Sequence, residues 1–465
     1  MSVVVRFVKN NAVHEVFLGF EELQATTGLA IADKLLQTLS SYGLDLEKLR
    51  GQGYDGCASM KGHVNGVQAR IKRLYPTAVY THCASHVLDL AVSKVSCVAD
   101  IANCLSTVKD VTTFVRSSAK RMMALKQNIE TARVASTNTS LTSLCETRWV
   151  DRHKNVAKFL DMFPTVTSTL EEISVWPDTT AAAKASQYLC ALLSSKFIVA
   201  LCVCARFSRL LLPISKVLQT ANFDLVQCTK EVRVVQEVVR DYRDNANSEF
   251  HVIFSQAQAL SQVPISIPRK TGRQLNRANY DTNDPETFHR QAMYLPYVDG
   301  LLQELRSRFN DHFEVAARIH MLVPSKAVST NPSDLQETVE FYKNDIHCDA
   351  VFDEFARWKI KWEQVQESER PENAIDAVAA IESQKEFYPS IYNLLKILAT
   401  IPVTTASAER TFSCLRRLKT YLRSAMGEDR LSGLAHMQIH RDKVPNAGVV
   451  LDELAKKKRK LDFLL

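Results

Sequence analysis

The chain has 465 residues, 46% hydrophobic and 23% charged, which is the balance of an ordinary soluble globular protein with room for about two to three domains. Its net charge of +7 permits a polyanionic partner, and its most apolar run, 197–205, is far shorter than the ~20 residues that span a bilayer. Eleven cysteines without a CxxC pair indicate reduced thiols and exclude a paired-cysteine zinc finger in this sequence. Neither a membrane nor a small-molecule substrate is expected as a partner.

The first predicted elements are two β-strands, 3–8 and 13–18, joined by the turn Lys9-Asn10-Asn11. Apolar residues at helical spacing predict a helix over 27–40. The following stretch, 49–90, alternates strand, helix, strand and helix. That alternation is typical of an α/β core.

Within that stretch, one carboxylate stands where a strand ends. Asp55 lies between Gly53-Tyr54 and Gly56, so its side chain is expected to be exposed at the sheet edge. A lone Asp-Gly pair is also a common turn, and the residue types alone leave that alternative open.

From about 151 to 387 the pattern is almost purely helical, without strand alternation. The segment 264–285 interrupts it and is a predicted loop, because it is rich in Pro, Gly and Asn. Its near end is basic, so it either contacts phosphate or is a solvated linker. The basic residues concerned are Arg269, Lys270 and Arg273.

The C-terminal part contains a predicted helix that begins near Glu409 and carries two stripes. The apolar stripe serves either the folding core or a subunit interface; it consists of Phe412, Leu415, Leu418 and Leu422, and a later helix adds Leu431 and Leu434. The basic stripe consists of Arg416, Lys419 and Arg423. A closing basic cluster is typical of nuclear import or of a solubilising tail; it comprises Lys456, Lys457, Lys458, Arg459 and Lys460.

Taken in order, these blocks resemble the hAT superfamily of cut-and-paste DNA transposases and the cellular proteins derived from them. The blocks are GQGYDGCASMKGHVNGVQARI, HCASHVLDL, TRW and, at the C-terminus, IPVTTASAERTFSCLRRLKTYLRSAMGEDRLSGLAHMQIHRD. The resemblance implies an RNase H-like α/β core interrupted by a large all-α insertion and completed by a helical dimerisation region. The implied domains are 1–150 and 387–443 for the core, 151–386 for the insertion and 444–465 for a basic tail.

The resemblance also implies roles for single residues. Asp55 and Glu409 take the second and third positions of a carboxylate triad that binds two Mg²⁺ or Mn²⁺ ions and acts on phosphodiester bonds. Cys83 and His86 match the CxxH motif of the family. Trp149, which beside Arg148 is otherwise most often a packing anchor, matches the Trp position expected near a flipped base or hairpin end. Homodimerisation, DNA binding and a nuclear location follow as expectations.

One part of the expected core is missing from the pattern. The first catalytic Asp of the family lies on a strand before 3–8, and this sequence is therefore expected to lack that strand, that Asp and the preceding zinc finger. As given, the chain is expected not to cleave or join DNA. An active transposase that includes the missing segment, and a nuclear regulator acting through protein contacts, are the alternatives. The sheet is expected to show either a gap or direct pairing between strand 3–8 and the strand leading to Asp55.

Overall fold

The computed structural model describes residues 1–131, 141, 149–220, 225–268, 282–419, 426–441, 443 and 445–456, without the side chains of 149–152, 310–318 and 428. The chain divides into two compact units. Unit 1 consists of Met1–Thr81 together with Leu322–Leu465, and unit 2 is His82–Met321. Within the described residues the protein is mostly helical and contains four short strands.

The chain begins with a β-hairpin, as predicted. Strands β1 (Ser2–Lys9) and β2 (Ala12–Phe20) pair antiparallel, with an irregularity in register between Val3 and Val4. The two turn residues, Asn10 and Asn11, have φ values of 52° and 55°, the left-handed conformation that a two-residue hairpin turn requires and that Asn tolerates.

A second sheet contains β3 (Gly51–Tyr54) and β4 (Val79–His82). Residues 1–90 are all described, and within them β1 pairs only with β2 and β3 pairs only with β4. Of the two expected arrangements, a gap or direct pairing between the first strand and the strand leading to Asp55, these residues show the gap. The helices of this part are α1 (Gly28–Ser41), α2 (Ala58–Lys61) and α3 (Val67–Leu74), with a 3₁₀ turn at Leu46–Lys48.

After β4, the regular secondary structure in the described residues of unit 2 is helical. Its helices are α4 (Ala84–Val95), α5 (Ala99–Arg116), α6 (Ala119–Thr131), α7 (Trp149–Asp161), α8 (Phe163–Ser174), α9 (Thr179–Leu192), α10 (Ser195–Val217), α11 (Leu225–Asp244), α12 (Ala246–Leu260), α13 (Pro285–His289) and α14 (Leu295–His320). A π-helical turn, Arg290–Tyr294, precedes α14.

Helix α10 is the core of unit 2. Every residue from Phe197 to Ala205 is buried, which confirms the prediction that this run is a buried helix. Within the described residues α10 alone has the length and apolar composition of a membrane span, and 72% of its apolar window is buried inside the protein. Its packing is therefore that of a core helix in a folded domain.

Unit 1 resumes after α14 with a further series of helices. They are α15 (Pro324–Ala327), α16 (Gln336–Phe341), α17 (Val351–Glu363), α18 (Ala374–Ile381), α19 (Pro389–Thr400), α20 (Ala406–Leu418), α21 (Glu428–Ile439) and α22 (Ala447–Ala455). Short 3₁₀ turns at Pro332–Leu335, Glu367–Glu369 and Glu382–Phe387 connect them.

The two compact units divide at 81/82 and 321/322. The domain boundaries expected from sequence, 150/151, 386/387 and 443/444, stay predictions. Helix α4, expected in the core, packs against α14 in unit 2. The approach is close, because a Cβ on Gly300 would lie 2.9 Å from Cγ1 of Val95. Conversely, α17 belongs to unit 1, where the buried carboxylate of Glu354 accepts the backbone N–H groups of Ser390 and Ile391 at the start of α19, at 2.9 and 3.2 Å.

Candidate functional site

Asp55 follows the last residue of β3 and is exposed. One oxygen, Oδ1, accepts the backbone N–H of Cys57 at 3.3 Å, which makes a local turn ahead of α2. The turn and an exposed carboxylate therefore coexist, since one hydrogen bond leaves acceptor capacity on the second oxygen.

Strand β3 is shaped by contact with a distant proline. A Cβ on Gly53 would lie 2.8 Å from Cγ of Pro402, and one on Gly51 would lie 2.8 Å from its Cδ. The hydroxyl of Thr81, on β4, donates to the carbonyl oxygen of Pro402. The absence of side chains at both glycines thus allows the segment before α20 to lie directly against the strand that ends at Asp55.

Glu409 lies in the first turn of α20 and is exposed; its Oε1 accepts the hydroxyl of Thr405 at 3.2 Å. The position suits a carboxylate, because the N-terminal end of a helix carries partial positive charge. Asp55 and Glu409 therefore lie in the same unit, on segments that meet at Pro402.

A buried ion pair, which the sequence patterns do not predict, anchors the start of α20. The Nη1 atom of Arg6 donates to Oε1 of Glu15 at 2.8 Å, and both side chains are 7% exposed. Arg6 Nε also donates to the carbonyl oxygen of Ala399 at 3.1 Å, while the hydroxyl of Ser407 donates to Glu15. The sequence signal for this pair is a cation and an anion at facing positions of the two hairpin strands. Only the fold shows that α20 lies against the pair.

The expected metal ions can be tested against the donor atoms present. Within the described residues, no group of three or more His, Cys, Asp or Glu side chains is placed to hold a metal ion. Asp55 and Glu409 are both exposed and lack a third carboxylate beside them among those residues. This donor set does not by itself fit a two-metal centre, which needs bridging and flanking oxygen ligands.

Cys83 and His86 lie at the start of α4, in unit 2. Cys83 is the N-cap residue and is 1% exposed, whereas His86 is half-buried, with its ring centroid 5.6 Å from that of His82. The turn from β4 into α4 thus brings the rings of His82 and His86 together and leaves the thiol of Cys83 in the core.

Several predicted site residues lie outside the described part of the chain. These are Arg148, Arg269, Lys270, Arg273, Leu422, Arg423, Lys457, Lys458, Arg459 and Lys460. Trp149 begins α7, and its side chain is likewise outside the description. Their predicted roles stay predictions.

The described members of the basic stripe are exposed. Arg416 and Lys419 lie at the C-terminal end of α20, where Arg417 is exposed as well. Cations there are favoured by the partial negative charge of the helix end. Lys456, at the end of α22, pairs with Glu453 at 2.6 Å.

The apolar stripe is used mainly for folding within unit 1. Leu418 and Leu431 are buried in one cluster with Phe17 and Phe20 of β2, and Leu415 and Leu434 pack against it half-buried. Phe412 differs, because 48% of its surface is exposed although its ring lies 6.3 Å from that of Phe20.

Polar contacts reinforce the same junction between β2 and α21. His436 Nε2 donates to the carbonyl oxygen of Leu18 at 2.8 Å, and the backbone N–H of Phe20 donates to the hydroxyl of Ser432 at 3.3 Å. The C-terminal helices therefore bind the first hairpin by both apolar and polar contacts.

Comparison with known proteins agrees with this arrangement. Residues 1–66 match the RNase-like domain described for ZMYM1/FAM200 (DUF4371), and residues 354–442 match the hAT family C-terminal dimerisation region. The chain is 26% identical over 474 residues to the mouse (Mus musculus) "52 kDa repressor of the inhibitor of the protein kinase" and 25% identical over 473 residues to its human (Homo sapiens) counterpart.

Each alignment covers 98% of this chain and 62% or 61% of the relative, so the chain spans about three fifths of the length of these curated relatives. The resemblance to hAT transposases and the proteins derived from them is confirmed. One segment of the chain matches the dimerisation region of that family, and another matches an RNase-like domain.

Proposed function

We propose that this chain is a transposase-derived protein that self-associates, binds DNA through phosphate contacts and does not cleave or join DNA by itself. One observation carries the proposal. The matched dimerisation region folds onto the matched RNase-like segment, through the cluster of Phe17, Phe20, Leu418 and Leu431, so that both belong to one compact unit.

The architecture of unit 1 supports an RNase H-like core with a helical insertion. The unit is assembled from the two ends of the described sequence, and the helical unit 2 lies between them in the sequence. Arg50, just before β3, makes a two-point contact with Asp345, at 2.7 and 2.5 Å, which joins both parts of the core. An interrupted core of this kind requires such long-range contacts.

The proposed lack of catalysis follows from the donor atoms. Two-metal chemistry with Mg²⁺ or Mn²⁺ would use Asp55 and Glu409 as ligands and would need a third acidic ligand that the described residues do not supply. Purified chain is expected not to nick a transposon-end duplex with either ion. Nicking that Asp55→Ala abolishes would contradict this part of the proposal.

DNA binding is supported by the net charge of +7 and by the exposed cations Arg416, Arg417 and Lys419 at one helix end. Fluorescence anisotropy with a short labelled duplex, measured at rising salt, tests it. Replacing Arg416 and Lys419 by Ala is expected to lower the salt slope by about 2, because each phosphate contact releases about one counterion.

The matched control is Lys48→Ala, which removes a cation in the same unit whose side chain is 81% exposed. It is expected to leave the slope unchanged. Wild-type binding that does not weaken with salt, or no binding at all, would contradict the DNA part of the proposal.

A nuclear regulator that acts through protein contacts is the second candidate. The observation in its favour is that both curated relatives named above are called repressors. The same salt titration separates the candidates, since a module that binds only protein has no salt-dependent affinity for DNA.

A further inference from the structure

The dimerisation region has already used much of its apolar surface within its own chain. Leu418, Leu431 and Ala435 are buried against β2, and Leu415 and Leu434 pack onto the same cluster. Buried residues cannot meet a second molecule without unfolding the junction. Exposed apolar residues nearby in sequence are therefore the candidates for self-association.

Helix α22 presents such residues in one place. Val449, Val450, Leu451 and Leu454 are 59%, 40%, 46% and 40% exposed, and no residue of the helix is buried. In the described part of the chain, every other helix of eight or more residues buries at least one side chain. Contiguous exposed apolar side chains of this kind mark interaction surfaces.

The length of α22 also points to a partner. The helix has nine residues, and Asn446 caps it by accepting the backbone N–H of Gly448 at 2.8 Å. Isolated helices shorter than ~12–15 residues are marginal in water, even in alanine-rich sequences, and most helical stability in proteins comes from packing of the apolar face. A covered face would supply that stability.

We propose that α22 packs against α22 of a second copy of this chain, as an antiparallel pair related by a two-fold axis. The inference rests on the self-association proposed above and names the surface responsible. Continuity in the chain supports it: the matched dimerisation region ends at residue 442, and α22 begins at Ala447. Self-complementary patches of this kind are typical of two-fold dimers.

Charge order favours the antiparallel arrangement. Asp452 and Glu453 lie within the helix, and the basic run begins at Lys456. A parallel pair would place the acidic residues of both copies side by side and the basic runs side by side. An antiparallel pair places the two basic runs at opposite ends, and like-charge contacts between neighbouring helices are destabilising.

The test uses the full chain and sedimentation velocity over micromolar concentrations. The wild type is expected to be a dimer. The double variant Val450→Glu with Leu454→Glu is expected to raise the dimer dissociation constant by about a hundredfold or more, because apolar burial is lost and like charges meet across the axis. The matched control Val175→Glu, an 80% exposed valine in unit 2, is expected to leave it unchanged.

A second pair of variants identifies the partner surface. Val450→Lys with Leu454→Lys is expected to be monomeric alone, like the glutamate variant, and an equimolar mixture of the two is expected to form dimers. Thermal unfolding midpoints close to that of the wild type would show that both variants fold. Mixing that fails to restore dimers would show that α22 contacts another surface, and would overturn the inference.

The two levels of the proposal fail differently. A wild-type chain that is monomeric at micromolar concentration overturns both self-association and the α22 contact. A wild type and a glutamate variant that are equally dimeric overturn the α22 contact alone, because association then uses another face, for which the exposed Phe412 is the next candidate.

Discussion

Unit 1 and unit 2 are stabilised by different kinds of contact. In unit 2, α10 is buried among helices of its own continuous segment, and Phe207 contacts the rings of Tyr242, Tyr294 and Tyr297. In unit 1, the decisive contacts join residues from opposite ends of the sequence, such as Phe17 with Leu431. Local helical patterns therefore suffice for unit 2, whereas unit 1 depends on long-range closure.

The same difference separates the predicted functional residues. Asp55 and Glu409 lie on segments that are adjacent in space only because the C-terminal part of unit 1 folds onto the N-terminal part. A change that loosens this closure is expected to affect the candidate site, while a change in the core of unit 2 is expected to affect helix packing.

The largest loss of stability is expected from removing one large buried side chain from the core of each unit in turn. Phe207→Ala in unit 2 and Phe17→Ala in unit 1 each remove an aromatic side chain that is 0% or 2% exposed, at an expected cost of about 3–5 kcal/mol. Differential scanning calorimetry is expected to show two unfolding transitions, and each variant is expected to lower the midpoint temperature of one of them. The exposed Val175→Ala serves as control, within about 0.5 kcal/mol of wild type.

A single calorimetric transition, whose midpoint temperature both phenylalanine variants lower equally, would contradict the separate stabilities expected for the two units. It would mean that the two units unfold together, so that local and long-range contacts are not separable in stability.

The next effect concerns the ion pair between Arg50 and Asp345, whose side chains are 14% and 16% exposed. Each single alanine variant is expected to destabilise unit 1 by about 2 kcal/mol, since a charged partner is left partly buried. The double variant is expected to lose less free energy of unfolding than the sum of the losses in the two single variants. Chemical denaturation of all four proteins gives the coupling energy, and a coupling of zero would remove this pair from the closure of the core.

A smaller effect is expected from Gly53→Ala. The new Cβ would lie 2.8 Å from Cγ of Pro402, so either the ring or the strand must move, at a cost of about 1–2 kcal/mol. Gly433→Ala, where nothing lies within 4 Å, is the control and lies in a helix of the same unit. Greater stability of Gly53→Ala would show that Pro402 does not constrain the strand.

The smallest effect is a pH dependence confined to unit 2. Burial lowers the pKa of His289 from its ordinary value of 6.5, despite its hydrogen bond to the carbonyl oxygen of Ser266 at 3.2 Å. Below pH 6.5 the unfolded chain therefore binds more protons than the folded one. The stability of unit 2 is expected to fall as pH falls below that value, by at most about 1.4 kcal/mol per pH unit for one proton.

His289→Gln is expected to flatten this slope, and His251→Gln, a side chain that is 67% exposed, is expected to leave it in place. Denaturation midpoints of unit 2 between pH 7.5 and 5 measure both. An unchanged slope in His289→Gln would assign the pH dependence to other groups.

Much of the local structure was predictable because the signals are local. The turn Asn10-Asn11, the strands on either side of it and the helix after Thr27 all follow from turn chemistry and apolar spacing. Pro213 shows where local reasoning fails. A proline usually ends or kinks a helix, but α10 continues past it to Val217, because burial of the helix outweighs one lost hydrogen bond.

The candidate site was predictable only in part. The positions of Asp55 after a strand and Glu409 in a first helical turn follow from sequence blocks, and the structure bears out both local placements. The buried pair Arg6–Glu15 and the buried carboxylate of Glu354 were not predictable, because each depends on a partner from another segment. Ala399 and Ser407 contact the pair from more than 390 residues along the chain, and Ser390 donates to Glu354 from 36 residues away.

The sequence by itself determined the elements, the family resemblance and the stripes of apolar residues, since periodicity and motif order are properties of short segments. Only the tertiary structure decided which stripes are covered. Leu418 and Leu454 both lie on amphipathic helices, yet the first is 9% exposed beneath β2 and the second is 40% exposed. The physical reason is that burial requires a second surface, and which surface meets a helix is fixed by the fold of the whole chain.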